Sequence, residues 1–182
     1  MKMRMLNYET ERWDIRDLTR KESVYVGMLG QVSELSKDAN THVGAMIVGG
    51  DGSIISMGYN GAPMGASDGM IPHSREMVSL TLSCDYDDVL PGAVHVWEDN
   101  KYPYMVHAET NAIMFARESR ADLRRSEIWV THLPCPNCAK TIAQAGIGKV
   151  CAILNHAASN SSLQQSLYIF EACGISIRFV EP

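Results

Sequence analysis

Apolar positions recur near helical spacing early in the chain, where Leu18, Tyr25, Leu29, Val32 and Leu35 share a stripe and Arg16, Arg20, Glu22 and Glu34 fall elsewhere. The pattern predicts a long helix over residues 15–36, with Thr10 or Asp14 as its cap. Lys37-Asp38-Ala39-Asn40-Thr41 then turns the chain into the apolar block Ala45-Met46-Ile47-Val48, which reads as a buried strand. Gly49-Gly50-Asp51-Gly52 is a hairpin turn, and residues 53–59 form the returning antiparallel strand.

Asn60-Gly61-Ala62-Pro63 closes that strand, and the pattern loses its period until Tyr104. We read residues 66–104 as an insertion, with a short helix at 74–82 and an acidic patch at Asp85, Asp87 and Asp88. Ala108, Ala112, Phe115 and Ala116 then recur at spacings of three and four, predicting a helix from His107 to about Arg120. Further along, residues 127–131 read as a strand, Pro136 starts a helix that Gly146 ends, residues 149–154 read as a strand, 163–172 as a helix and 175–180 as a last strand. The order predicts an α/β fold of three layers, α/β/α, around a mixed five-stranded sheet in one domain of residues 1–182. The first hairpin is antiparallel and the later strands are parallel.

The length of 182 residues suits one domain with a full core. Against 21 Asp and Glu there are 16 Lys and Arg, and the net charge of −5 argues against a nucleic-acid backbone as partner. A small phosphorylated metabolite stays open, since a few donors hold a monoester. Five cysteines suggest metal chemistry in a reducing compartment, and no apolar run reaches membrane-spanning length. The expected location is therefore the cytoplasm, with no membrane partner.

Two stretches carry chemistry. The first reads Met105-Val106-His107-Ala108-Glu109-Thr110-Asn111, and the second His132-Leu133-Pro134-Cys135-Pro136-Asn137-Cys138. One imidazole and two thiols make a three-ligand zinc set, His107, Cys135 and Cys138, with a fourth position for water. Zinc would lower the pKa of that water, and Glu109 is placed to move its protons. A structural zinc with His132 as fourth ligand, a redox thiol pair and a metal-free helix-mouth carboxylate are the competing readings.

These residues resemble the zinc deaminases that act on nucleobases. More narrowly, S-K-D-A-N-T-H-V-G-A-M-I-V, G-Y-N-G-A-P-M-G-A-S-D, V-H-A-E-T-N-A-I and T-H-L-P-C-P-N-C-A-K-T-I-A-Q-A-G-I resemble deoxycytidylate deaminases, including those of large bacteriophages. The resemblance implies a cytidine-deaminase-like fold that hydrolyses dCMP to dUMP and ammonia for thymidylate synthesis, in the host cytoplasm for a viral member. It makes Glu109 the catalytic proton carrier and places the phosphate near Ser36, Lys37 and Asp38, with Lys37 equally able to be a solvated helix-end cation. Val43, Gly44 and Ala45 become a base-binding wall, and Asn60, which also suits a simple turn, a deoxyribose contact. Tyr104, His107, Ala108, Leu133, Pro134 and Cys135 complete the substrate pocket.

The same resemblance implies a homo-oligomer, commonly a hexamer, activated by dCTP and inhibited by dTTP with Mg2+. The effector segment would include Asn60, Gly61, Ala62 and Gly65, while Met64, Ala66 and Glu118 depart from the usual choices. His73, Cys84 and His95 are candidates for a second zinc. The alternatives are a deaminase of another cytosine nucleotide or of a nucleic-acid base, and a catalytically silent nucleotide sensor.

Overall fold

The computed structural model describes residues 18–67, 69–83, 94–153 and 160–180. Helix α1 (Arg20–Ser33) starts later than its apolar stripe predicts. Thr19 and Glu22 set that start: the Thr19 hydroxyl accepts the Glu22 N–H at 3.3 Å, and the Glu22 carboxylate accepts the Thr19 N–H at 2.8 Å. This reciprocal capping box leaves Leu18 outside the helix. Thr10 and Asp14, the caps expected from sequence, lie outside the described residues. At the other end the N–H groups of Leu35 and Ser36 turn back to the carbonyls of Val32 and Ser33, so the helix stops short of Ser36.

Strands β1 (Gly44–Val48) and β2 (Ile54–Tyr59) form the expected antiparallel hairpin. After the segment 66–104 come helix α2 (Ala108–Phe115), the short α3 (Arg120–Leu123), β5 (Glu127–Val130), α4 (Pro136–Ala145), β6 (Lys149–Ile153), α5 (Asn160–Ala172) and β7 (Ser176–Val180). The main sheet has the order β2-β1-β5-β6-β7. Its β1–β5 pairing is antiparallel, whereas β5, β6 and β7 run parallel, giving the mixed sheet that alternating strands and helices predict.

Alternation along β1 divides the core. Met46 and Val48 face α1, where they pack with Tyr25, Leu29, Trp129 and Cys151. Ala45 and Ile47 face the opposite layer, with Ala108, Ala112, Ile142 and Phe170 from α2, α4 and α5. Burying such side chains contributes about 1.5–3 kcal/mol each. Small residues on α2 bring that helix against the sheet, which is how the sheet positions the site.

Two further sequence expectations fail. The predicted helix over 74–82 is instead the start of a separate hairpin, β3 (Val78–Ser83) with β4 (Val94–Asp99). Val78, Leu80 and Leu82 repeat with period two and are β-compatible, and this outweighs the looser helical match. Helix α2 ends at Phe115, not near Arg120, because Ala116 is extended at φ −66°, ψ 121°. Ser119 then caps α3, its hydroxyl accepting the Asp122 N–H at 3.3 Å. Among the described residues no helix is long and apolar enough to cross a membrane.

Candidate metal and active site

Two helix starts build the site. His107 is the N-cap residue of α2, with φ −75° and ψ 153°, and Cys135 is the N-cap residue of α4, with φ −67° and ψ 167°. Neither side chain caps its own helix, so both are free to point at one another. Pro136 suits the first turn of α4, where its missing N–H costs nothing, and Cys138 comes round to the same side one turn on. As a result His107 Nδ1 lies 3.6 Å from Cys135 Sγ and 3.3 Å from Cys138 Sγ.

These donor atoms all lie within 4.8 Å of one another, and the cluster has three members among the described residues. One imidazole nitrogen and two sulfurs fit zinc with a position left for a non-protein ligand. His132 is not a fourth donor. Its Nδ1 instead lies 3.0 Å from the Thr131 hydroxyl, and burial holds its imidazole below the ordinary value.

The two thiols differ electrostatically. The Cys138 thiol hydrogen-bonds Cys135 and, with His107, lowers the Cys135 pKa to about 3, while Cys138 is correspondingly pushed up. The hydrogen bond with Cys135 raises the His107 imidazole against partial desolvation, although the residue as a whole is exposed. Glu109, in the first turn of α2, is 4% exposed. Burial raises its carboxyl, against the helix-start N–H and His107, and it hydrogen-bonds Cys138. A buried acid with an elevated pKa beside metal donors is suited to carrying protons near neutral pH.

Strand β2 fixes the helix that bears His107 and Glu109. The Ser56 hydroxyl donates to the Ala112 carbonyl at 2.7 Å, and Asn111 Nδ2 donates to the Tyr59 carbonyl at 2.8 Å. Gly61 and Val106 exchange two backbone hydrogen bonds of 3.0 and 2.8 Å, tying the end of the β2 hairpin to the residue before His107. Gly58 is the close-approach point: a Cβ there would lie 2.4 Å from Ala112 N and 2.5 Å from Ala108 O. A glycine inside a strand is a sequence signal for such contact.

A match to the family model described as the cytidine and deoxycytidylate deaminase zinc-binding region spans residues 19–154. This chain belongs to that deaminase family. It is 33% identical over 150 residues to the human deoxycytidylate deaminase, covering 82% of this chain and 74% of the relative. Its identity to the phage T4 deoxycytidylate deaminase is 33% over 150 residues, covering 71% of this chain and 76% of that one. The structure of the dCMP deaminase from cyanophage S-TIM5, in complex with dCMP and dUMP, superposes with a TM-score of 0.63 at 26% identity and covers 91% of this chain and 100% of that one. The deaminase resemblance expected from the motifs is thus confirmed, as is the mixed five-stranded α/β fold.

The other residues expected in a deaminase pocket are placed as follows. Ala108 and Pro134 are buried and Leu133 is half-buried, all beside the donors. Ser36 is buried and donates to the Asn60 carbonyl at 2.8 Å, whereas Lys37 is exposed. Asn60 uses its amide within the protein: Oδ1 accepts the Val43 N–H at 2.8 Å, and Nδ2 donates to the Thr41 carbonyl at 3.0 Å and to Asp38 at 3.3 Å. Gly44 is where α1 approaches, since a Cβ there would meet the Leu29 carbonyl at 2.6 Å. Val43 and Ala45 instead pack on the α2 side.

Tyr104 is half-buried, its hydroxyl accepting from Trp97 at 3.0 Å and donating to Asp99 at 3.1 Å. Gly61 and Ala62 are half-buried and Gly65 is exposed at φ 88°. Of the second-zinc candidates, Cys84 lies outside the described residues, as does the His95 side chain, while both ring nitrogens of His73 are buried without a hydrogen-bond partner. A cavity of about 500 Å³ lies at the opposite end of the sheet, lined by Gly49, Gly50, Arg124, Arg125 and Lys149, and is remote from the donors.

Proposed function

We propose that this chain hydrolyses dCMP to dUMP with release of ammonia, as a zinc-dependent deaminase that supplies dUMP for thymidylate synthesis. The observation that carries the reading is the convergence of His107 Nδ1 and the Cys135 and Cys138 sulfurs within 4.8 Å, with Glu109 buried in the first turn of α2. The names of the human and phage relatives, and the dCMP and dUMP bound to the S-TIM5 enzyme, supply the substrate.

His107, Cys135 and Cys138 would hold the zinc. Bound there, it supplies a Lewis acid that makes water a nucleophile near neutral pH. Glu109 carries the protons: its carboxylate accepts one from the attacking water and delivers it to N3 of the cytosine ring, which makes C4 electrophilic. The carboxylate next takes the remaining proton of the hydroxyl added at C4 and delivers it to the departing amino group; the C4 carbonyl forms as the C4–N bond breaks, so one water is consumed and one ammonia leaves. Burial supports this cycle by bringing the two protonation states of Glu109 closer in energy. Val43, Leu133 and Pro134 would enclose the base, with the fully buried Ala45 and Ala108 packed behind them.

The nucleotide's phosphate would lie near the 36–38 segment, where Lys37 is exposed. Activation by dCTP and inhibition by dTTP with Mg2+ at Asn60, Gly61, Ala62 and Gly65, a hexameric assembly, a second zinc and a host-cytoplasmic location rest on the motif resemblance alone. The deciding measurement is turnover of dCMP, CMP, deoxycytidine and a cytosine-containing oligonucleotide in parallel on zinc-loaded protein. Preferential turnover of dCMP is expected. Equal rates on deoxycytidine refute a phosphate-dependent enzyme, and preferential turnover of the oligonucleotide refutes the mononucleotide reading.

A further inference from the structure

Lys101 has no part in the motifs, yet it is among the most buried charges of the described residues. It is 3% exposed, and its ammonium pairs with Asp38, which is also 3% exposed. Taking two charges out of water is costly unless the remaining lone pairs find donors. Here they do. Asp38 Oδ1 also accepts the N–H groups of Asn40 at 2.8 Å and Thr41 at 3.0 Å, while Oδ2 accepts from Asn60 Nδ2 at 3.3 Å. Asn60 passes the constraint on, because it holds the Val43 N–H and the Thr41 carbonyl. A single ion pair thereby fixes the path of residues 40–43 and the orientation of Asn60.

The other end of the strut is anchored as well. Lys101 N–H donates to the Ser74 carbonyl at 3.1 Å, and the Tyr104 N–H returns to the Lys101 carbonyl at 3.0 Å. Arg75 adds two contacts to the same loop, from its N–H to Asn40 Oδ1 at 3.0 Å and from its guanidinium to the Thr41 hydroxyl at 3.3 Å. From Asn60 the chain proceeds directly to the Gly61–Val106 bridge beside His107. The loop and the metal donors are thus neighbours joined through backbone, while the Lys101 ammonium is engaged by Asp38 rather than by a donor or Glu109.

We propose that Lys101 is a positioning residue for substrate: by holding Asp38 it sets the 40–43 loop and Asn60 as the wall that receives the nucleotide. The inference rests on the deaminase reading and goes beyond it by assigning the 66–104 segment a part in substrate binding. An isosteric, uncharged side chain at 101 should leave the metal donors in place and loosen the wall.

The test compares wild type with Lys101→Met and with the volume-preserving Asp38→Asn, reading kcat, KM for dCMP, zinc content and amide hydrogen exchange. In Lys101→Met KM should rise about tenfold or more, with kcat within about threefold and zinc retained, the pattern of lost binding without lost transition-state chemistry; Asp38→Asn, which lies in the segment assigned to the phosphate, is read by amide exchange alone. The Asn40, Thr41 and Val43 amides should exchange at least about tenfold faster, with those of Met46 and Ile47 unchanged. Unchanged KM in a folded Lys101→Met protein overturns the proposal, as does loss of kcat and zinc at constant KM. If Lys101→Met does not fold, the same criteria apply to Lys101→Gln. If wild type does not turn over dCMP, the deaminase reading fails by itself, and the exchange at Asn40, Thr41 and Val43 still decides whether the strut sets the loop.

Discussion

Replacing Gly58 with alanine adds one methyl group where β2 touches α2. The new Cβ would lie 2.4 Å from Ala112 N, 2.5 Å from Ala108 O and 2.9 Å from Asn111 C, all backbone atoms of the helix. Carbon contacts are comfortable only at about 3.5–4.0 Å, so helix and strand must separate by about 1 Å. No rotamer change relieves the clash, since both partners are main chain and Ala108 and Ala112 are fully buried. Overpacking of this kind costs about 1–3 kcal/mol of stability. The larger effect is on catalysis, because α2 carries Glu109 and begins at His107, and a misplacement of about 1 Å costs roughly 100-fold in rate. The assay is kcat for dCMP at saturating zinc, paired with urea unfolding. A fall of about 100-fold in kcat with a stability loss of about 1–3 kcal/mol is expected. Wild-type kcat in the Gly58→Ala protein would refute the claim that the β2–α2 spacing sets the active site.

Two further outcomes follow from the same geometry. Glu109→Gln should keep zinc and lose at least about 100-fold in kcat, the scale of proton-transfer catalysis, whereas Cys138→Ala should lose the metal with the activity; metal analysis beside turnover separates the two. For Asp38, burial alone would raise the carboxyl, but the Lys101 hydrogen bond with the Asn40 and Thr41 N–H groups outweighs it and holds the pKa below the ordinary 3.8. Its folded value is depressed, so its stabilising contribution is present above pH 3.8 and is lost as pH falls through the folded value. The stability gap between wild type and Asp38→Asn, measured by urea unfolding, should therefore hold near neutrality and narrow below pH 4 or so; a gap that widens on acidification contradicts the assignment.

What could be read from the chain was what neighbouring residues encode together. His107-Ala108-Glu109 and Cys135-Pro136-Asn137-Cys138 each specify a helix start and a donor set within one turn, so the site was legible before its halves were seen to meet. The five-stranded sheet was legible for a similar reason, since strands and helices alternate at short spacing. Local rules also misled. The Thr19–Glu22 capping box outranks the longer apolar stripe, and the period-two run from Val78 to Leu82 outranks a partial helical match. Lys101 was illegible because its meaning lies in Asp38, 63 residues away in sequence. No periodicity reports a pairing of that range.

The donors themselves are 28 and 31 residues apart along the chain, on two helices that pack together on one face of the sheet. Of these three donors an unfolded polypeptide holds only the close thiol pair together, a bidentate and weaker ligand. The imidazole joins once the two helix starts have docked, so tight metal capture belongs to a late stage of folding. Zinc uptake thus doubles as a readout of completed tertiary structure, and a chelator should act on the maturing chain well before it acts on the finished one.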